Sequence, residues 1–215
     1  MKLCIPKLTQ VIPSQSRVSV TAVASVGDDV YVLRYNCQEV DVYDAEKFAL
    51  KCHIAVPGLQ YARGLAVCPN NSCLYASDWN SCSVHRVDLI GNAVKRWAVA
   101  SRQAGLSVNK AHNLVVACYG ASKLQEYTTH GSLVREINLT VDGVTSPWHA
   151  VQLSSGDYAV IDAGSPGGVS VVGLDGRVVQ RYGQSVTPQV GQMKGPGSLA
   201  VTKNDDILVA DNGNN

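Results

Sequence analysis

Leu199-Ala-Val-Thr-Lys-Asn-Asp-Asp-Ile-Leu-Val-Ala-Asp211 is a short apolar run, a polar turn, a second apolar run and a closing acid. The same pattern occurs at Ala22–Arg34, Leu65–Asp78, Leu106–Cys118 and Ala150–Asp162. The closing positions are 34, 78, 118, 162 and 211, so the intervals are 44, 40, 44 and 49 residues. A period in the forties is the length of four short strands with their turns. The runs are five or six residues long, rich in Val, Ile and Tyr, and punctuated by Gly, Asn, Asp and Ser, with no lasting helical stripe. The chain therefore reads as all-β.

Each repeat continues alike. After Asp78, Ser83–Asp88 and Ala93–Ala98 alternate apolar with polar residues around a turn. Their counterparts are Glu39–Tyr43 with Leu50–Ile54, Lys123–Tyr127 with Leu133–Ile137, and Gly168–Val172 with Arg177–Arg181. The last pair is joined through Asp175-Gly176, a strong hairpin signal. Inner strands apolar on both faces belong between neighbouring sheets, and alternating outer strands belong on a half-exposed rim. A four-stranded sheet of this kind cannot bury both faces alone. Radial stacking solves that, which predicts a β-propeller. The expected blades start near residues 20, 64, 104, 148 and 197, about five in all. The last is truncated and the ring is incomplete. Residues 1–19 form an N-terminal segment that would supply a closing strand.

The 215 residues are 46% hydrophobic and 16% charged with a formal charge of +1, so no nucleic-acid or membrane partner follows from net charge. No apolar run has the length of a bilayer span. The first residues do not read as a secretory leader. A cytoplasmic, reducing compartment is expected, with the seven cysteines as free thiols. Cys68 and Cys73 flank one turn; paired in simple register they would face each other at disulfide distance.

Gly197–Asn215, and Gly64-Leu-Ala-Val67 with Leu74–Asp78, resemble the motif of the NHL-repeat propeller family, and the resemblance covers about residues 20–215. Members usually have six blades, so the chain looks like a fragment. Arg34 and Cys118 depart from the recurring acid. The resemblance to propellers that follow RING or tripartite-motif regions implies a substrate-recognition module for a ubiquitin ligase. Some of those relatives bind RNA. Related lyase propellers set several histidines around a metal. Here His149 is met at the matching positions only by Arg63-Gly64, Ala104-Gly105 and Gly197-Ser198, so no metal, cofactor or small-molecule substrate is expected.

Three groups of residues stand out. Asp78, Asp162 and Asp211 recur with the period and are expected to hold turns by accepting backbone N–H groups two residues on. Cys68, Cys73, Cys82 and His85 are spaced wrongly for zinc. Tyr61, Arg63, Arg102, Trp148, His149 and Lys194 fall in loops before inner strands, on one face of the disc by topology. Arg, Trp and Tyr dominate protein hot spots, and aromatic platforms with cations also suit single-stranded RNA. The expected function is a non-catalytic protein-binding platform, with RNA binding as the alternative and a metal-dependent lyase or hydrolase third. Asn138-Leu-Thr140 matches a glycosylation acceptor by chance.

Overall fold

The computed structural model describes residues 18–164, 167–183 and 193–213, which form eighteen strands. The first sheet is β1 (Val20–Val26), β2 (Asp29–Arg34), β3 (Glu39–Asp44) and β4 (Leu50–Ala55). The second is β5 (Ala62–Cys68), β6 (Cys73–Asp78), β7 (Ser83–Asp88) and β8 (Val94–Ala98). The third is β9 (Gln103–Val108), β10 (Leu114–Cys118), β11 (Lys123–Tyr127) and β12 (Leu133–Asn138). The fourth is β13 (Pro147–Gln152), β14 (Tyr158–Asp162), β15 (Gly168–Val172) and β16 (Val178–Tyr182). The fifth is the pair β17 (Pro196–Val201) and β18 (Ile207–Asp211). Every sheet is an antiparallel meander in chain order.

The second strand of each sheet shows why the sheets stack. Leu74 packs into the seam with the first sheet, while Tyr75 packs into the seam with the third. Val116 and Val115 divide in the same way between the second and fourth sheets, and Val160 and Ile161 between the third and fifth. A period of two with apolar residues at every position thus supplies both faces of the blade. Burying a Leu or Tyr in such a seam contributes about 1.5–3 kcal/mol over leaving it exposed. Third strands such as β7 and β15 are buried almost throughout, and only fourth strands such as β8 are mostly solvent-facing, so the exposed rim is one strand wide and not two as the alternation suggested.

The first strands pack in succession, β1 on β5, β5 on β9, β9 on β13 and β13 on β17. They line a central channel of about 690 Å³. Among the described residues the sheets are not closed into a ring. The expected closing strand in residues 1–19 lies outside the described residues except for Val18 and Ser19.

One irregularity recurs in all five sheets. Each first strand carries an extra residue relative to its partner, at Thr21, within Arg63-Gly64, within Ala104-Gly105, at Trp148 and at Gly197. A β-bulge re-aims side chains and increases local twist. In the second and fourth sheets the bulge holds Arg63 and Trp148, both of which reach the channel mouth.

Candidate functional site

The recurring acids come first because they position everything around them. Asp78 accepts from the backbone N–H groups of Asn80 and Ser81 at 3.1 and 3.4 Å, which holds the turn after β6. It also accepts from Gln60 and Tyr61 at 3.2 and 3.3 Å, which clamps the loop leading into β5. Asp162 joins Gly164 to Ser146, and Asp211 joins Gly213 to Lys194 and Gly195. The turn-holding geometry has the expected spacing of two residues. The loop clamp was not foreseen, because its donors lie 16 to 18 residues earlier in the chain. Burial acts to raise the Asp78 pKa, but the donors from Gln60, Ser81 and Asn80 outweigh it and hold the carboxyl below its usual range.

A backbone bond to the same loop recurs in all five sheets, with or without a clamping acid. The N–H of the residue after the slot donates to the loop before the first strand: Tyr35 to Ser19, Trp79 to Tyr61, Tyr119 to Arg102, Ala163 to Ser146, and Asn212 to Gly195. In the first three sheets that residue is aromatic, and all three rings are half-buried on the same face. Trp79 and Tyr119 lie 5.6 Å apart between centroids, and Trp148 completes a triangle at 5.8 and 5.9 Å. Tyr35 and Tyr61 form a second, edge-on pair at 4.8 Å. The Arg63 guanidinium sits 5.4 Å from the Tyr61 ring and 5.7 Å from Trp79, and Arg102 stacks 5.8 Å from Trp79. The Tyr35 hydroxyl hydrogen-bonds that of Tyr61, raising its own pKa and lowering that of Tyr61, which Arg63 lowers further.

Beside this cluster opens a cavity of about 720 Å³, lined among others by Tyr35, Tyr61, Arg63, Trp148 and Asn212. Arg63 is the charged side chain among the residues lining the opening, while Asp78, Asp162 and Asp211 are turned onto backbone donors. Tyr61, Arg63, Arg102 and Trp148 therefore do come together. Tyr35, Trp79 and Tyr119 belong with them and were missed. The signal was present: each follows the periodic slot by one residue.

His149 and Lys194 are placed differently. The His149 ring is enclosed between three sheets: Nε2 donates to the Leu106 carbonyl at 3.2 Å and Nδ1 accepts from the Leu199 N–H at 3.0 Å. Burial pushes its pKa down to about 4. Gly105 permits this approach, since a Cβ there would lie 2.5 Å from the imidazole. His149 thus fastens the third, fourth and fifth sheets and has no nitrogen left for a ligand. Lys194 is exposed, and its backbone N–H belongs to the Asp211 clamp.

Cys68 and Cys73 are cross-strand partners in the anticipated register, and both are buried free thiols. Cys68, Cys73, Cys82 and His85 do not converge as a ligand set. His85 is instead buried beside the first sheet's seam, with its pKa lowered by burial and then by Arg96.

No family model matches the chain, and neither does any curated protein. Solved structures do. A Bacteroides caccae protein of unknown function superposes with a TM-score of 0.68 at 16% identity, over 93% of this chain and 73% of that one. Virginiamycin B lyase from Staphylococcus aureus gives 0.71 at 10% identity, over 92% and 64%. The WD40 β-propeller domain of Doa1 gives 0.55 at 15% identity, over 67% and 48%. These likenesses establish the fold as a β-propeller. The chain spans less than two thirds of the lyase.

Proposed function

We propose that the chain is a non-catalytic binding platform whose aromatic and arginine face receives a protein partner. The observation that carries this reading is the convergence of Trp79, Tyr119 and Trp148 with Arg63 and Arg102 beside one open cavity. Rings already packed on one another lose little entropy on docking, and such residues supply most of the energy of protein interfaces. The partner surface is acidic, to match Arg63 and Arg102, with an apolar side chain for the cavity.

Two features favour protein over single-stranded RNA. The rings meet at 46°, 52° and 88°, so they present edges rather than a row of parallel platforms for bases. Both arginines lie over the Trp79 ring instead of tracking a backbone groove. A non-catalytic role is supported by His149, the channel imidazole, whose two nitrogens are engaged.

The resemblance to NHL blades adds a narrower reading: the bound protein is a substrate for ubiquitin transfer by a ligase of which this propeller is the recognition part. That step rests on the resemblance alone. A cytoplasmic setting rests on the cysteine usage, with which free Cys68 and Cys73 agree.

Affinity enrichment from nuclease-treated lysate tests the proposal, using the wild-type chain, Trp148→Ala, Arg63→Ala and the remote control Val179→Ser. The expected result is a nuclease-resistant protein retained by wild type and control and lost from both face variants. Binding that disappears with nuclease, or that the face variants keep, overturns it.

A further inference from the structure

Away from that face, Glu39 and Asp41 on β3 and His53 on β4 bring three metal-binding side chains together. Alternation places residues 39 and 41 on one side of β3, and the register sets His53 directly opposite Asp41. Val40 and Val42 point into the seam with the second sheet, so the triad occupies the first sheet's other side.

The His53 Nδ1 lies 2.8 Å from Asp41 Oδ1 and 3.9 Å from Glu39 Oε1. All three donor atoms fall within 4.8 Å of one another. Zinc bound tetrahedrally with arms of about 2.0–2.2 Å places neighbouring donors roughly 3.3–3.6 Å apart, inside the span of those separations. Seating an ion replaces the His53–Asp41 hydrogen bond with a metal bond to each of the two groups.

The second observation concerns how Asp41 is held. It is 6% exposed, and its other oxygen, Oδ2, is gripped by Arg34 at 2.8 Å. Arg34 is itself anchored on the Tyr43 hydroxyl at 2.8 Å. The buried carboxylate is thereby oriented with Oδ1 toward His53, as outer hydrogen bonds orient ligating carboxylates in metal centres. This also gives a use to Arg34, which stands where three other sheets have the clamping acid. Two carboxylates against one guanidinium leave a net negative charge for a cation.

We propose that Glu39, Asp41 and His53 bind one divalent ion of the zinc class, with the remaining coordination open to solvent. An imidazole and only three protein ligands favour zinc or a similar transition metal over calcium or magnesium, which take more oxygens or keep their water. The inference departs from the metal-free expectation of the sequence, where residues 39, 41 and 53 show no ligand spacing.

The test is calorimetric titration of the metal-free chain with zinc chloride, together with the absorption spectrum of the cobalt-loaded chain. Wild type should bind one equivalent, and His53→Ala and Glu39→Gln should each bind at least tenfold more weakly. Glu39→Gln, at an exposed position, keeps the test decisive if His53→Ala does not fold. Cobalt should show nitrogen and oxygen ligation without thiolate charge transfer, which separates this triad from Cys37, Cys52 and Cys82. Absence of zinc binding, affinity unchanged in both variants, or a thiolate band would overturn the proposal and leave the triad an ion pair only.

Discussion

The second and third sheets answer the same local problem with different chemistry. In the second, Asp78 gathers four backbone N–H groups from two loops. In the third, Cys118 occupies that slot, and the acceptor has moved to Gln125 on β11. The Gln125 Oε1 takes the Ala100 N–H at 2.9 Å, the Tyr127 hydroxyl at 2.9 Å and the Cys118 thiol at 3.3 Å, while its Nε2 donates to Glu136. Burial pushes the Cys118 thiol up to about 12. What both blades keep is an acceptor for the loop before the first strand: Asp78 takes the Gln60 and Tyr61 N–H groups, and Gln125, from a neighbouring strand, takes the Ala100 N–H.

Breaking the charged solution should cost most. Asp78→Ala leaves up to four donors without an acceptor in a buried site, and a loss of about 3 kcal/mol is expected in chemical denaturation. Gln125→Leu strips three donors of a neutral acceptor and should cost about 2 kcal/mol by the same measurement. Cys118→Ala removes only a weak donor and should cost about 1 kcal/mol. Arg102→Ala, on the exposed face, should change stability by less than about 0.5 kcal/mol while weakening partner binding.

Proton linkage sharpens the comparison because the two slots titrate in opposite directions. Asp78 has a folded pKa below its ordinary 3.8. Its stabilisation is present above that value and is lost as pH falls through the depressed one. Cys118 is raised from 9.0 to about 12. The preference for its thiol is fully present below pH 9 and is lost as pH rises toward 12. Denaturation midpoints should show the acid loss diminished in Asp78→Ala and the alkaline loss diminished in Cys118→Ala. His149 adds a separate acid window: the unfolded chain takes up a proton near 6.5 and the folded one near 4, so stability falls between those values.

Much of the architecture was legible because period, strand length and two-sided apolarity are local properties. The closing positions at 34, 78, 118, 162 and 211 fall at the ends of β2, β6, β10, β14 and β18. The face was legible only in part. Tyr61, Arg63 and Trp148 could be placed by topology, but the bulges that aim Arg63 and Trp148 depend on one extra residue that pattern counting absorbs. Tyr35, Trp79 and Tyr119 are 40 or more residues apart; their shared place after the periodic position puts them on one face, but does not indicate that Trp79 packs on Tyr119 while Tyr35 packs on Tyr61. His149 was misleading for a related reason, since Gly105 and the Leu199 amide that enclose it come from other blades.

A photo-reactive phenylalanine analogue installed at Tyr119, and separately at Val179 on the rim, tests the proposed face most directly. In cells, Tyr119 should yield a discrete protein adduct that Arg63→Ala abolishes, while Val179 should yield none. Equal adducts at both positions, or an RNA adduct at Tyr119, would contradict the account.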